Sequence, residues 1–67
     1  MISIFINGIA RDFAQPLSIT ALVQEMSLNG KRIALERNGE IVPRSQFAEQ
    51  LLIDGDKLEI VVAVGGG

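Results

Sequence analysis

Ser-Ile-Thr-Ala-Leu-Val-Gln-Glu-Met, residues 18–26, is the stretch of this chain whose apolar residues recur with a helical period. Ile19, Leu22, Val23 and Met26 fall at i, i+3, i+4 and i+7, which places four apolar side chains on one face of an α-helix. Ser18 stands where a hydroxyl can accept from the free N–H groups of the first turn. Asn29 and Gly30 tolerate left-handed backbone and are expected to end the helix after roughly ten residues. One amphipathic helix cannot bury its own stripe, so the fold depends on what flanks it.

Both flanks read as strands. Residues 2–7 alternate, with Ile2, Ile4 and Ile6 on one face and Ser3, Phe5 and Asn7 on the other. Asn7-Gly8 predicts a tight hairpin turn into a second strand at 9–14, which Pro16 closes. Beyond the helix, Ile33 and Leu35 point inward from a strand at 33–37, and Asn38-Gly39 predicts a turn into 40–42. Pro43 ends that hairpin, and residues 44–50 are expected to form a short helical turn that carries Phe47 inward. Asp54-Gly55-Asp56 reads as a solvated turn, because two carboxylates flanking one glycine lack the ligand count of a calcium loop.

The last strand is expected at 57–64, with Leu58, Ile60, Val62 and Val64 facing inward and Lys57, Glu59, Val61 and Ala63 facing outward. Leu58, Ile60 and Val62 should then pack against Ile4, Ile6, Leu22 and Met26. The element order ββαβββ predicts an α+β fold in which a mixed sheet of four to five strands packs on one helix. The folded domain is expected over residues 1–64, followed by a flexible glycine tail at 65–67.

Composition bounds what such a domain can do. At 67 residues, 48% of them apolar and 21% charged, the chain is balanced like a packed single domain with a small core. It has no Cys and no His, so neither a disulfide nor a zinc site supports that core, and nucleophilic thiol or imidazole chemistry is excluded. The net charge is −2 and the basic residues are scattered, which argues against nucleic acid as a partner. The longest apolar run, residues 60–64, is far short of the roughly 20 residues of a membrane span. Residues 1–15 lack the features of a signal peptide, so a cytoplasmic location is expected.

Gly65-Gly66-Gly67 is the feature that the fold does not explain, since glycines add no packing and lose the most entropy on ordering. It reads either as a frayed end or as a thin extension that carries a carboxylate into a narrow site on another protein, where any Cβ would clash. Extended, three residues reach about 10 Å.

Taken in order, the Ile-rich opening to Asn7-Gly8, the segment Arg37-Asn38-Gly39-Glu40-Ile41-Val42-Pro43-Arg44, Asp54-Gly55-Asp56 and the ending Val64-Gly65-Gly66-Gly67 resemble the ThiS family of sulfur carriers over essentially the whole chain. The tail is one glycine longer than the minimal Gly-Gly, and Phe47 stands where the family often has another large aromatic. The resemblance implies a ubiquitin-like β-grasp fold. It also implies a chain that is a protein co-substrate and not itself an enzyme. A ThiF-like adenylyltransferase, using ATP and magnesium, would activate the Gly67 carboxylate as a glycyl adenylate. Sulfur drawn from cysteine by a system such as a cysteine desulfurase would convert it to a thiocarboxylate (1-thioglycine), and thiazole synthase (ThiG-like) would take the sulfur. The chain itself would bind no cofactor and no metal, and Gly65, Gly66 and Gly67 would enter the partner's active site.

The molybdopterin-synthase small subunit shares the implied fold and ending. A ubiquitin-like protein modifier and a plain binding module are the alternatives from other classes. The phase of the strands adds one expectation of its own. If Ile2, Ile4 and Ile6 face inward, then Phe5, Val61 and Ala63 share the outer face of adjacent first and last strands, an apolar patch where the adenylyltransferase would dock.

Overall fold

A computed structural model of the chain describes residues 1–63. Strands β1 (Ile2–Ile6), β2 (Ile9–Phe13) and β3 (Leu17–Ser18) precede helix α1 (Ile19–Glu25). Strands β4 (Ile33–Arg37) and β5 (Glu40–Ile41), a 3-10 turn (Arg44–Gln46), β6 (Leu51–Leu52) and β7 (Lys57–Val62) follow. Five strands form one mixed sheet in the order β2-β1-β7-β4-β5. In it β1 and β7 run parallel through Phe5↔Lys57 and Ile6↔Leu58, while β1–β2, β4–β5 and β4–β7 are antiparallel. One helix against a mixed sheet whose first and last long strands are central neighbours is the ubiquitin-like β-grasp arrangement.

The core is the meeting of two apolar stripes. Ser18 Oγ accepts from the Ala21 N–H at 3.0 Å and starts the helix, which buries Ile19, Leu22 and Val23. From the five-stranded sheet come Ile2, Ile4, Ile6, Leu35, Leu58 and Ile60, and Val42, Phe47 and the β6 residue Leu52 complete it. Ile4, Ile19, Leu22, Leu35, Leu52 and Leu58 are the largest fully buried side chains, each contributing roughly 1.5–3 kcal/mol by leaving water. Both Asn-Gly turns form with left-handed backbone at both residues, φ 52° and 83° at Asn7-Gly8 and 51° and 87° at Asn38-Gly39. That geometry matches the twist of the strands they join.

Several expectations need correction. The helix stops at Glu25, well before Asn29-Gly30, because Ser27, at φ 58°, turns left-handed before Gly30 does. Its N–H bonds to the Gln24 carbonyl at 3.0 Å and the Leu28 N–H to the Val23 carbonyl at 2.9 Å, a Schellman end that tucks Leu28 against the core. The second strand ends at Phe13, one residue before Ala14. The simple ββαβββ order gains two short strands, β3 and β6, paired as Leu17↔Leu52 and Ser18↔Leu51. This ribbon places Leu52 in the core.

Val62 is 39% exposed and does not join Leu58 and Ile60 in the core. Its phase is as expected, but β1 ends beside the first half of β7, so past Ile60 the sheet has β4 on one side only. Val64, also expected to face inward, and the tail at 65–67 lie outside the described residues. Among the described residues no helix is long and apolar enough to cross a membrane.

The Asp54-Gly55-Asp56 segment is a turn, with Gly55 at φ 91°, yet Asp56 is not solvated. It is buried, and Arg37 Nη2 and Nε donate to its Oδ2 at 2.7 and 3.1 Å. Asn38 Nδ2 donates to Oδ1 at 3.0 Å and the Ile53 N–H to Oδ2 at 2.9 Å. Arg37 also donates to Gln50 Oε1 and to the Leu51 carbonyl. Burial alone would raise the Asp56 pKa, but the Ile53 N–H, the Asn38 amide and the Arg37 guanidinium together hold it below the usual value. This clasp ties the β4–β5 hairpin to the chain entering β7.

Candidate functional site

The site to be understood is the end of β7, because that strand leads into the glycine tail. Along β7 the peptide groups alternate sides. Those of Lys57 face β4, where the Asn38 N–H donates to the Lys57 carbonyl at 2.7 Å, and those of Leu58 and Ile60 face β1. On the β1 side the Asn7 N–H donates to the Leu58 carbonyl at 2.9 Å. Beyond that point the backbone of β1 turns away, and the Asn7 side chain takes over. Its Oδ1 accepts from the Ile60 N–H at 2.8 Å and its Nδ2 donates to the Ile60 carbonyl at 3.0 Å. A carboxamide carries the same donor and acceptor as a peptide group, so Asn7 substitutes for one more residue of strand.

On the far side of β7, Asn38 Oδ1 accepts from the Lys57 N–H at 3.0 Å. The two Asn-Gly turns thus hold β7 near both its ends. Sequence reading found both turns by their turn chemistry and missed that their side chains reach β7. An amide side chain at a left-handed position beside a strand end is the available signal. The last described contact before the tail is the Ala63 N–H donating to the Arg32 carbonyl at 2.8 Å.

The outer face of the sheet carries the expected docking residues. Phe5 is 39% and Val61 63% exposed, and Ala63 is exposed. All three lie on one face, but they do not form one continuous patch. Phe5 is level with Lys57, and Val61 lies four residues further along β7, about 13 Å at 3.3 Å per residue. Glu59 stands between them on that face, with Lys57 beside Phe5. The closest companions of Val61 come instead from β4, where Ala34 is its register partner, with Glu36 opposite Glu59.

Gly65, Gly66 and Gly67 lie outside the described residues. A surface cavity of about 480 Å³ is lined by Arg37, Asn38, Glu40, Gln46 and Gln50 among others. The Arg37 guanidinium there is already engaged by Asp56, Gln50 and the Leu51 carbonyl, so the cavity presents polar side chains with its cation spent.

Residues 4–67 match the model of the ThiS family. The chain belongs to the ThiS family. Family members are small sulfur carriers of thiamine biosynthesis. The sulfur carrier protein ThiS of Bacillus subtilis is 40% identical over 50 residues, covering 75% of this chain and 76% of that one. The crystal structure of a ThiS from Geobacter metallireducens superimposes with a TM-score of 0.84 at 28% identity, covering 98% of this chain and all of the other.

A third relative, a thiazole synthase of Paramagnetospirillum magneticum, is 47% identical over 62 residues, which cover 92% of this chain. This ThiS-family chain spans only 19% of that relative's length.

Proposed function

We propose that this chain carries sulfur for thiazole formation as a thiocarboxylate on Gly67. The observation that carries this reading is the family match, which runs through the final glycines to residue 67. The Paramagnetospirillum thiazole synthase supports the choice of acceptor, since a segment similar to this chain forms about a fifth (19%) of it.

In the first step an oxygen of the Gly67 carboxylate attacks the α-phosphorus of ATP on a ThiF-like adenylyltransferase with magnesium. A C–O–P bond forms, the Pα–O–Pβ bond breaks, and pyrophosphate leaves with the bonding electrons. A carboxylate is a poor electrophile, and the acyl adenylate that results is a good one. The outer sulfur of a cysteine persulfide, supplied by a system such as a cysteine desulfurase, then attacks the acyl carbon, and AMP departs. An acyl disulfide remains. A second thiol attacks the donor cysteine's sulfur, forms a disulfide with it, and releases the thiocarboxylate. That sulfur is nucleophilic and tethered, and a thiazole synthase takes it from the tail. Glycines at 65–67 suit this chemistry, because a chain without Cβ atoms fits a channel that reaches the carboxyl carbon.

The domain serves as the handle, and the adenylyltransferase docks on the outer sheet face at Phe5, Val61 and Ala63. Phe5→Ser tests this together with adenylation. At limiting carrier, ATP–pyrophosphate exchange with the cognate adenylyltransferase should fall about tenfold, equivalent to ~1.4 kcal/mol, with little change in unfolding midpoint. Unfolding of the variant would place Phe5 in the core, and unchanged exchange would put docking elsewhere. No exchange with the unaltered chain would overturn the carrier reading.

A further inference from the structure

We propose that Asn7 is a positioning residue for the reactive tail, and that its carboxamide sets the direction in which β7 delivers it. The inference rests on the function proposed above. Its observation is the pair of bonds from one side chain to both peptide groups of Ile60, at 2.8 and 3.0 Å. Ile60 is the last residue of β7 bound on the β1 side, through Asn7 where β1 has ended. Its neighbours Glu59 and Val61 face β4, opposite Glu36 and Ala34. Among the described residues, β4 and the Arg32 carbonyl are what restrain Val61 to Ala63.

Without the carboxamide, the two-sided restraint would retreat to Leu58, and the last third of β7 could swing about its β4 edge. Gly67 is seven residues beyond Ile60 in sequence, so the direction of β7 at Ile60 sets where the tail starts from. In-line attack on phosphorus is sensitive to position, and about 1 Å of misplacement costs on the order of a hundredfold.

Asn38 supplies a matched comparison. It occupies the same place in the second Asn-Gly turn, at φ 51° against 52° for Asn7. Its side chain also bonds β7, but at the Lys57 N–H, far from the tail. Asn38 Nδ2 also donates to the buried Asp56 carboxylate, so Asn38→Gly should lose at least as much stability as Asn7→Gly, and a kcat loss confined to Asn7→Gly is not a stability effect.

The test compares Asn7→Gly, Asn7→Asp and Asn38→Gly, at a temperature where circular dichroism shows each to be folded. Glycine suits the positive φ at either position, so the turns persist while the carboxamide is lost. With adenylyltransferase and ATP, Asn7→Gly should lower kcat for adenylation about tenfold with KM nearly unchanged, since the docking face is intact. Asn7→Asp keeps the acceptor for the Ile60 N–H and loses the donor, so its kcat should fall in between. Asn38→Gly should keep kcat.

In the free protein, amide exchange at Ala63 should quicken about tenfold in Asn7→Gly and not in Asn38→Gly. Equal kcat in Asn7→Gly and the unaltered chain would overturn the proposal. So would equal Ala63 exchange in the two glycine variants. If the unaltered chain is not adenylated, the function reading fails, and Ala63 exchange still decides whether Asn7 orders the end of β7.

Discussion

Asp56→Ala is expected to destabilise the domain by about 3 kcal/mol, the low end of the roughly 3–5 kcal/mol lost when one member of a buried ion pair is removed. The low end applies because Arg37 keeps 21% of its side-chain surface exposed and can rehydrate in part, whereas Asp56 keeps only 6%. Besides the guanidinium, the substitution takes the acceptor from two part-buried bonds, those of the Asn38 amide and the Ile53 N–H. A chain of this length holds roughly 3–10 kcal/mol in total, so the loss is a large share.

Asp54→Ala is the comparison. Asp54 accepts from the Ser3 N–H at 2.7 Å but is exposed, and its removal should cost less than about 1 kcal/mol. Chemical denaturation of the two variants checks this, and equal losses would show that the clasp around Asp56 adds nothing beyond an ordinary turn.

The same clasp sets a pH dependence. Asp56 is held below its ordinary pKa in the folded state, so as pH falls the unfolded chain takes up that proton first. Its contribution is whole above the ordinary aspartate value of about 3.9 and is lost as pH drops through the folded value. Asp56→Ala should therefore flatten the acid limb of the stability profile.

Removing Gly66 and Gly67 is expected to abolish sulfur loading and to leave the unfolding midpoint where it was. Every buried core residue among those described lies at or before Ile60, and glycine has no side chain with which to add packing. The stability change should stay within about 0.5 kcal/mol. Loading, by contrast, should fall to background, since the shortened chain ends on a carboxylate two residues short of the reacting phosphorus, a deficit of about 7 Å in extended chain. Thermal unfolding and thiocarboxylate formation with the cognate adenylyltransferase, read on one preparation, test both halves. A marked loss of stability would show the tail to be part of the fold, and continued loading would remove Gly67 as the reacting residue.

The parts of this molecule legible in its sequence are those where a periodic cause acts locally. Ile2, Ile4 and Ile6 alternate because one face of β1 is buried, Ile19, Leu22 and Val23 recur because one face of α1 is, and both Asn-Gly pairs need left-handed backbone. What escaped depends on distance along the chain. Asp56 is buried because Arg37, nineteen residues earlier, meets it, and no local pattern announces that.

β3 and β6 are two residues each, too short to have a period. Val62 has the right phase for the core and fails to join it only because β1 stops first. Likewise the outer-face residues Phe5 and Val61 share a face by alternation, while their separation follows from a parallel register that alternation cannot set. The tail at 65–67 lies outside the described residues, and the chemistry expected of it comes from the family pattern and not from any periodicity.

The most direct test of the carrier reading is the intact mass of this chain isolated from its own cells under sulfur-replete conditions. The account predicts a species heavier by the difference between one sulfur and one oxygen, with fragmentation placing the exchange on Gly67. An unmodified chain alone, or a chain found joined through Gly67 to a lysine of another protein, would contradict it.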